Sequence, residues 1–247
     1  MIYQELLEAK KSKQKKLAVL IDPDKMRLSK MEQLLHLSLE NGVDYFFIGG
    51  SLIVNDMLDN VLKSIKEQCN IPLILFPGNS YQLSYRADAI LFLSLISGRN
   101  AELLIGNHVV AAPFLKVSPL EIISTGYMLI DGGIATTVQY MSNTIPIPAN
   151  KNDIAICTAI AGEMLGLKAI YMDAGSGALN PVSESMISDV SSAIQVPLII
   201  GGGIRTPGKA EANLKAGADV IVVGNALEKD PNLIKEIGAA VKGLVVV

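Results

Sequence analysis

Short runs dominated by Val, Ile and Leu recur along this chain at intervals that leave room for one helix between them, and this alternation constrains the fold more than any other feature. Runs that are apolar on both faces are what a buried parallel sheet requires, because helices cover both of its sides. They predict strands at 16–22 (KLAVLID), 43–48 (VDYFFI), 72–76 (PLILF), 88–93 (DAILFL), 121–130 (EIISTGYMLI), 168–172 (KAIYM), 197–201 (PLIIG) and 219–223 (DVIVV). Helical patterns at 28–41, 56–69, 99–108, 152–166, 183–194, 207–216 and 231–242 separate most of them. The exception is 77–87 (PGNSYQLSYRA), too short and too polar for a crossover helix, so the third unit is expected to be degenerate.

Strands alternating with helices over 247 residues point to an α/β fold, a single (β/α)8 TIM-type barrel domain over residues 1–247 with its active site on the loops after the strand C-termini. An open doubly wound sheet is the alternative, but the loop after the first strand, DPDKMRLS, lacks G-x-G-x-x-G. Half of the residues are hydrophobic and 18% are charged, enough apolar material for a large core. A net charge of −3 gives no basic face for nucleic acid. The one basic run, Lys10 to Lys16, reads as the solvated end of a short N-terminal helix rather than a contact with anionic lipid. Cys69 and Cys157 are far apart and lack CxxC spacing, so both read as reduced core thiols. The opening MIYQELLEAK is too charged for a signal h-region, and no uninterrupted apolar run reaches about 18 residues, so no secretory or transmembrane segment is expected and the expected location is the cytoplasm.

Chemistry concentrates at the expected strand ends. IIGGGIRTPGKA sets Gly201, Gly202 and Gly203 before a Thr-Pro helix start, and VVGNALE repeats the arrangement at Gly224 and Asn225. Backbone donors on these adjacent loops form either a phosphate cradle or merely tight turns. In YMDAGSGALNP, Tyr171 and Asp173 are two residues apart and share one face of a strand end, with Ala174, Gly175, Ser176 and Gly177 following. That loop is either part of the same grip, suited to a phosphate ester with free hydroxyls, or a turn in which Asp173 caps the next helix. IDPDK places Asp22 and Asp24 at the first strand end, where a carboxylate could hold Mg²⁺, and Ser51 of IGGS could add a hydroxyl to it; a simple Asp-Pro-Asp turn is the other reading. HVVAAPFL could line an apolar channel, although ordinary core is favoured. His36 lies far from any strand end and is given no role, and His108 reads as structural.

Taken in order, IDPDK, IGGS, LFPGN, STGYMLIDGG, SNTIPIPANKNDIA, YMDAGSGA, IGGGIRTPGKA and VVGNALE resemble the geranylgeranylglyceryl phosphate synthase family, prenyltransferases that include the bacterial heptaprenylglyceryl phosphate synthases. The likeness runs through nearly the whole chain, and its middle part is similar to the group II branch found in archaea and some bacteria. The resemblance implies a modified barrel without a regular third helix, joining geranylgeranyl diphosphate to the 3-hydroxyl of sn-glycerol 1-phosphate with release of diphosphate, in ether-lipid synthesis. By motif, it implies Mg²⁺ ligands at Asp22 and Ser51. It implies a glycerol-phosphate grip from Tyr171, Met172, Asp173, Ala174, Gly175, Ser176 and Gly177 with Gly202, Gly203, Gly224 and Asn225, Tyr171 and Asp173 being catalytic. The family usually reads Tyr-x-Glu where this chain has Tyr171-Met172-Asp173, and the heptaprenyl branch has lysine where this chain has Leu20. Another phosphate-binding barrel, of sugar-phosphate isomerase or epimerase type, and a catalytically inactive lipid- or phosphate-binding protein are the alternatives. A homo-oligomer, dimer or hexamer, is expected, with transient membrane contact for the lipid substrate or product; Tyr140 reads equally as a subunit anchor or a core side chain.

Overall fold

The computed structural model describes residues 1–24, 28–55 and 57–244. Lys25 of IDPDK and residue 56, the first of the expected helix 56–69, lie outside the described residues. In chain order the elements are α1 (Ile2–Lys11), β1 (Lys16–Ile21), α2 (Leu28–Asn41), β2 (Tyr45–Ile48), α3 (Leu58–Gln68), β3 (Leu73–Leu75), β4 (Ala89–Leu95), α4 (Asn107–Lys116) and β5 (Glu121–Leu129). They continue with α5 (Thr137–Ser142), α6 (Asn152–Met164), β6 (Ala169–Asp173), α7 (Glu184–Ala193), β7 (Leu198–Gly201), α8 (Pro207–Lys215), β8 (Val220–Val223), α9 (Asn225–Lys229) and α10 (Leu233–Lys242). The strands pair in parallel in sequence order, and β8 closes on β1 with Ala18 opposite Val222. All eight expected strands are therefore present, with ends shifted by two residues or fewer at most positions.

Period-two alternation divides each strand between two cores. Ala18, Tyr45, Phe47, Ile74, Leu91, Tyr171 and Val222 fill the barrel interior. Their neighbours Val19, Phe46, Ile48, Leu75, Met172 and Val223 pack outward against the helices. Helix faces answer that outer layer: Leu58, Val61, Leu62 and Ile65 of α3 fall at the spacing of one helical face and are buried. Caps fix where the later helices begin. Ser183 accepts from the Met186 N–H at the start of α7, and Thr206, followed by Pro207, accepts from the Lys209 N–H at the start of α8.

Between β3 and β4 no helix forms, as the polar third unit implies. A buried glutamine joins the strand ends there instead: Gln82 donates through Nε2 to the Gly50 carbonyl (2.9 Å) and accepts through Oε1 from the N–H groups of Gly78 (3.1 Å) and Gly50 (3.3 Å). The expected helix over 99–108 is corrected to a π-helical turn at Glu102–Gly106 that runs into α4 as far as Lys116. Its sequence conceals the boundary, because NHVVAAPFLK is apolar almost all round while Val109 and Val110 are exposed, leaving no periodicity to mark an end. The short helix α5 starts after Thr136 and ends at a left-handed Asn143, but in neither α5 nor α9 does an N-cap side chain accept a helix N–H.

The basic run is also corrected. Lys10 reaches Asp219 (3.0 Å), Lys16 reaches Asp44 (2.8 Å), and Lys15 donates to the Ala218 carbonyl (2.7 Å), so these lysines clamp the strand N-termini while Lys11 and Lys13 remain exposed. Cys69 is buried as expected, but Cys157 is exposed on α6. Tyr140 is exposed rather than core. No helix among the described residues is long and apolar enough to cross a membrane.

Helix α1 closes the base. Ile2 and Leu6 join the interior cluster, and the Glu121 carboxylate at the start of β5 accepts from the N–H groups of Ile2 (2.6 Å) and Tyr3 (3.0 Å), donors that a first helical turn cannot satisfy internally. Glu121→Ala is expected to lower unfolding stability by about 1–3 kcal/mol, the cost of leaving such donors unpaired, as read from denaturant unfolding.

Candidate active site

The C-terminal ends of the strands open into a cavity of about 1070 Å³, at or above the roughly 300–1,000 Å³ usual for ligand clefts. Its lining changes character around the ring. The ends of β6, β7, β8, β1 and β2 contribute Asp173, Ser176, Gly202, Gly203, Asn225, Asp22 and Ser51, whereas β3, β4 and the segments after them contribute Phe76, Leu83, Ile90, Phe92, Leu95, Leu103 and Ala111, with Asn79, Ser80, Asn100, Glu102, Asn107 and His108 among them. A polar half thus adjoins an apolar-rich half in one cavity.

Asp173, the last residue of β6, is buried at the centre of the polar half. Its Oδ2 accepts from the Tyr127 hydroxyl (2.7 Å) and its Oδ1 from the Gly175 N–H (2.7 Å). Burial raises the Asp173 carboxyl above the ordinary carboxylate range, against the pull of those two hydrogen bonds. Burial, and after it the Asp173 charge, holds the phenols of Tyr127 and Tyr171 well above their ordinary value, so both stay protonated. Around them the rings of Phe76, Tyr127 and Tyr171 pack together, with Phe76 stacked on Tyr171 at 5.1 Å and Tyr127 tilted against Tyr171 at 5.5 Å.

Glycine is required beside this carboxylate. Gly202 has φ +78°, and a Cβ there would stand 2.5 Å from Asp173 Oδ1 and 2.8 Å from the backbone nitrogens of Ala174 and Gly175. Ser176 donates to Asn225 Oδ1 (3.0 Å), tying the loop after β6 to the loop after β8. Of the expected grip, Tyr171, Asp173, Ser176, Gly177, Gly202, Gly203, Gly224 and Asn225 come together on the cavity wall. Met172 does not: strand alternation turns its side chain into the layer between sheet and helices, and Ala174 packs there too. The Gly175 N–H is already given to Asp173.

Across the mouth, the two carboxylates of IDPDK do different work. Asp22 is buried on the cavity wall, where Oδ1 accepts from the Asp24 N–H (3.1 Å) and Oδ2 faces the Gly50 backbone closely enough that a Cβ on Gly50 would stand 3.2 Å from it. Asp24 instead accepts from the N–H groups of Val54 and Asn55, fastening the β1 loop to the β2 loop. Among the described residues no three His, Cys, Asp or Glu side chains converge as a metal cage. The set Asp22 and Ser51 consists of hard oxygen donors too few to enclose an ion, which fits Mg²⁺ shared with a phosphate-bearing ligand and does not fit a closed structural site.

A model of the PcrB family matches residues 10–241. The chain belongs to the PcrB family. It is 56% identical to the geranylgeranylglyceryl phosphate synthase of Chitinophaga pinensis, over 97% of this chain and 95% of that protein. It is 42% identical to the geranylgeranylglyceryl phosphate synthase of Thermococcus kodakarensis, over 91% of each. The crystal structure of (S)-3-O-geranylgeranylglyceryl phosphate synthase from Thermoplasma acidophilum, in complex with its substrate sn-glycerol-1-phosphate, superposes with a TM-score of 0.93 at 31% identity, covering 99% of both chains.

Several wall residues of this PcrB-family barrel escape sequence reasoning. Tyr127 lies within an apolar strand and shows its importance only through the β5–β6 register that sets it opposite Tyr171. Arg205 of GGGIRT lines the cavity and donates to the Ala178 carbonyl, bracing the β6 loop from β7. The middle segment supplies Asn100, Glu102, Leu103, Asn107, His108 and Ala111 to the wall, but of HVVAAPFL only His108 and Ala111 reach it, while Val109 and Val110 are exposed. His108 meets Ser94 Oγ at 3.1 Å and packs edge-on against Phe92, and burial pulls its imidazole pKa down, so it is a neutral wall residue. His36 is exposed near Glu40, away from the cavity.

The raised carboxyl of Asp173 has a stability consequence. Its favourable contribution is complete below the ordinary value of about 3.9 and is lost as pH rises through the higher folded-state value. Asp173→Asn, with no proton to lose, is therefore expected to melt at a higher temperature than the parent at neutral pH, the difference vanishing below about pH 3.9, as followed by calorimetry across pH.

Proposed function

We propose that this chain is a prenyltransferase, acting as one domain over residues 1–247, that joins geranylgeranyl diphosphate to the 3-hydroxyl of sn-glycerol 1-phosphate and releases diphosphate in ether-lipid synthesis. One observation carries the reading: a polar grip and a long apolar wall share a single cavity centred on a buried carboxylate. An isomerase handling one small sugar phosphate has no use for that apolar half. The names and substrate complex of the family's relatives support the same conclusion.

In this reading the Ser176 and Asn225 side chains, with the backbone at Gly177, Gly202, Gly203 and Gly224, hold the glycerol phosphate; glycine there lets N–H groups approach an anion without Cβ interference. Asp22 and Ser51 would hold Mg²⁺, which when bound supplies positive charge against the diphosphate. The apolar wall seats the prenyl tail, and the faces of Phe76, Tyr127 and Tyr171 screen the allylic carbon from water while favouring developing positive charge. The glycerol oxygen bonds to the prenyl C1 as the C1–O bond breaks and its electron pair leaves on the diphosphate, with Asp173 orienting the hydroxyl and taking up its proton. Holding both ligands in line in one mouth removes much of the entropic barrier. A cytoplasmic homo-oligomer accompanies this reading, for which the exposed Tyr140 and Ile145 offer an apolar contact surface.

Incubating the purified chain and Mg²⁺ with labelled glycerol 1-phosphate and farnesyl, geranylgeranyl or heptaprenyl diphosphate tests both reaction and tail length. Ether product with geranylgeranyl diphosphate as the best donor is expected, and no transfer from any donor overturns the reading. Asp22→Ala is expected to lower the Mg²⁺-dependent rate by roughly 100-fold, the scale of losing one positioned electrostatic partner, and full retention of that rate removes Asp22 from the role.

A further inference from the structure

The two oxygens of Asp173 are not equally available. Oδ1 is enclosed by the loop backbone, holding the Gly175 N–H on one side and facing Gly202, where even a Cβ would stand 2.5 Å away. Oδ2 carries the Tyr127 hydroxyl at 2.7 Å, and both residues line the cavity. Tyr127 lines the same cavity from β5, paired in register with Tyr171. A ligand hydroxyl that reaches the phenolic oxygen from the cavity can be accepted by its lone pairs while the phenol's own proton points at Oδ2.

Resting on the prenyl-transfer reading, we propose that Tyr127 is a catalytic residue that relays the proton of the attacking hydroxyl to Asp173. As the glycerol oxygen bonds to C1 and the diphosphate leaves with the electron pair of the broken bond, the hydroxyl proton passes to Tyr127 Oη and the phenolic proton passes to Asp173 Oδ2. Tyr127 ends neutral and Asp173 ends protonated, so no phenolate accumulates. The directions of the pKa shifts agree with this ordering, since burial makes the phenolate costly and makes the carboxylate the better proton acceptor.

If Tyr127 only braces the Asp173 rotamer, removing its hydroxyl frees Oδ2 to meet the substrate directly, and lengthening the carboxylate brings no recovery. A relay predicts the opposite, because a glutamate at 173 carries the carboxylate one methylene further into the cavity and past the missing phenol. The test compares the full chain with Y127F, D173E and Y127F/D173E, reading kcat and KM for glycerol 1-phosphate and the melting shift that glycerol 1-phosphate produces. Y127F is expected to lose about 100-fold in kcat, the scale of a general acid–base step, with KM within about threefold and the melting shift retained. Y127F/D173E is expected to regain at least about tenfold over Y127F. The relay is overturned by a kcat loss in Y127F smaller than about tenfold, by a double variant no faster than Y127F, or by loss of the melting shift together with activity. Absence of ether product from the parent chain instead removes the prenyl-transfer reading, a result distinct from all three.

Discussion

Burying a carboxylate at the end of a barrel strand is costly unless its oxygens are satisfied, and the mouth of this protein is arranged around meeting that demand for Asp173. One oxygen draws in the Gly175 N–H, which bends the chain immediately after β6. The same oxygen leaves no space for a side chain at position 202, so the loop after β7 passes as bare backbone. The other oxygen holds the Tyr127 hydroxyl and so fixes a ring on which Tyr171 and Phe76 pack. The turn after β6, the bare backbone at Gly202 and the aromatic wall are thus three consequences of one buried carboxyl.

The asymmetry of the barrel follows from where helices are present and absent. Flanked by full crossover helices, β6 to β8 can end in short glycine-rich loops that offer N–H groups to an anion. Between β3 and β4 there is no helix, and the Gln82 side chain spans the backbone of Gly50 and Gly78 instead. That substitution keeps the strand ends fastened while leaving the cavity wall on this side to Phe76, Leu83, Phe92 and Leu95, together with the π-helical turn and α4.

How far such a site can be read from sequence depends on whether its signal is local. Strands apolar on both faces and glycines clustered at their ends are local, so the barrel, its degenerate third unit and the cavity position of Asp22, Ser51, Asp173 and Gly202 were all legible. Tyr127 was not, because an aromatic in STGYMLIDGG looks like core until the β5–β6 register sets it beside Tyr171. Gln82 resembled any loop glutamine, since one of its partners, Gly50, lies in the distant loop after β2. Lysines 10, 15 and 16 read as a solvated run because Asp219, Ala218 and Asp44, which engage them, are distant in sequence. Met172 was carried along with its motif, although period-two alternation already assigned its side chain to the opposite face.

Stability and chemistry are separated along the barrel axis, and that separation allows the mouth to hold groups that do not favour folding. At the base, Asp219 accepts from both Lys10 and the Leu198 N–H, Asp44 from Lys16 and the Leu17 N–H, and Glu121 from the first turn of α1. These acceptors join elements far apart in sequence, and the interior core of Tyr45, Phe47 and Ile74 lies above them. The mouth instead contains a carboxyl raised by burial and a large cavity, both of which cost folding free energy. Any ligand that binds only the folded mouth shifts the equilibrium toward the folded state and offsets that cost.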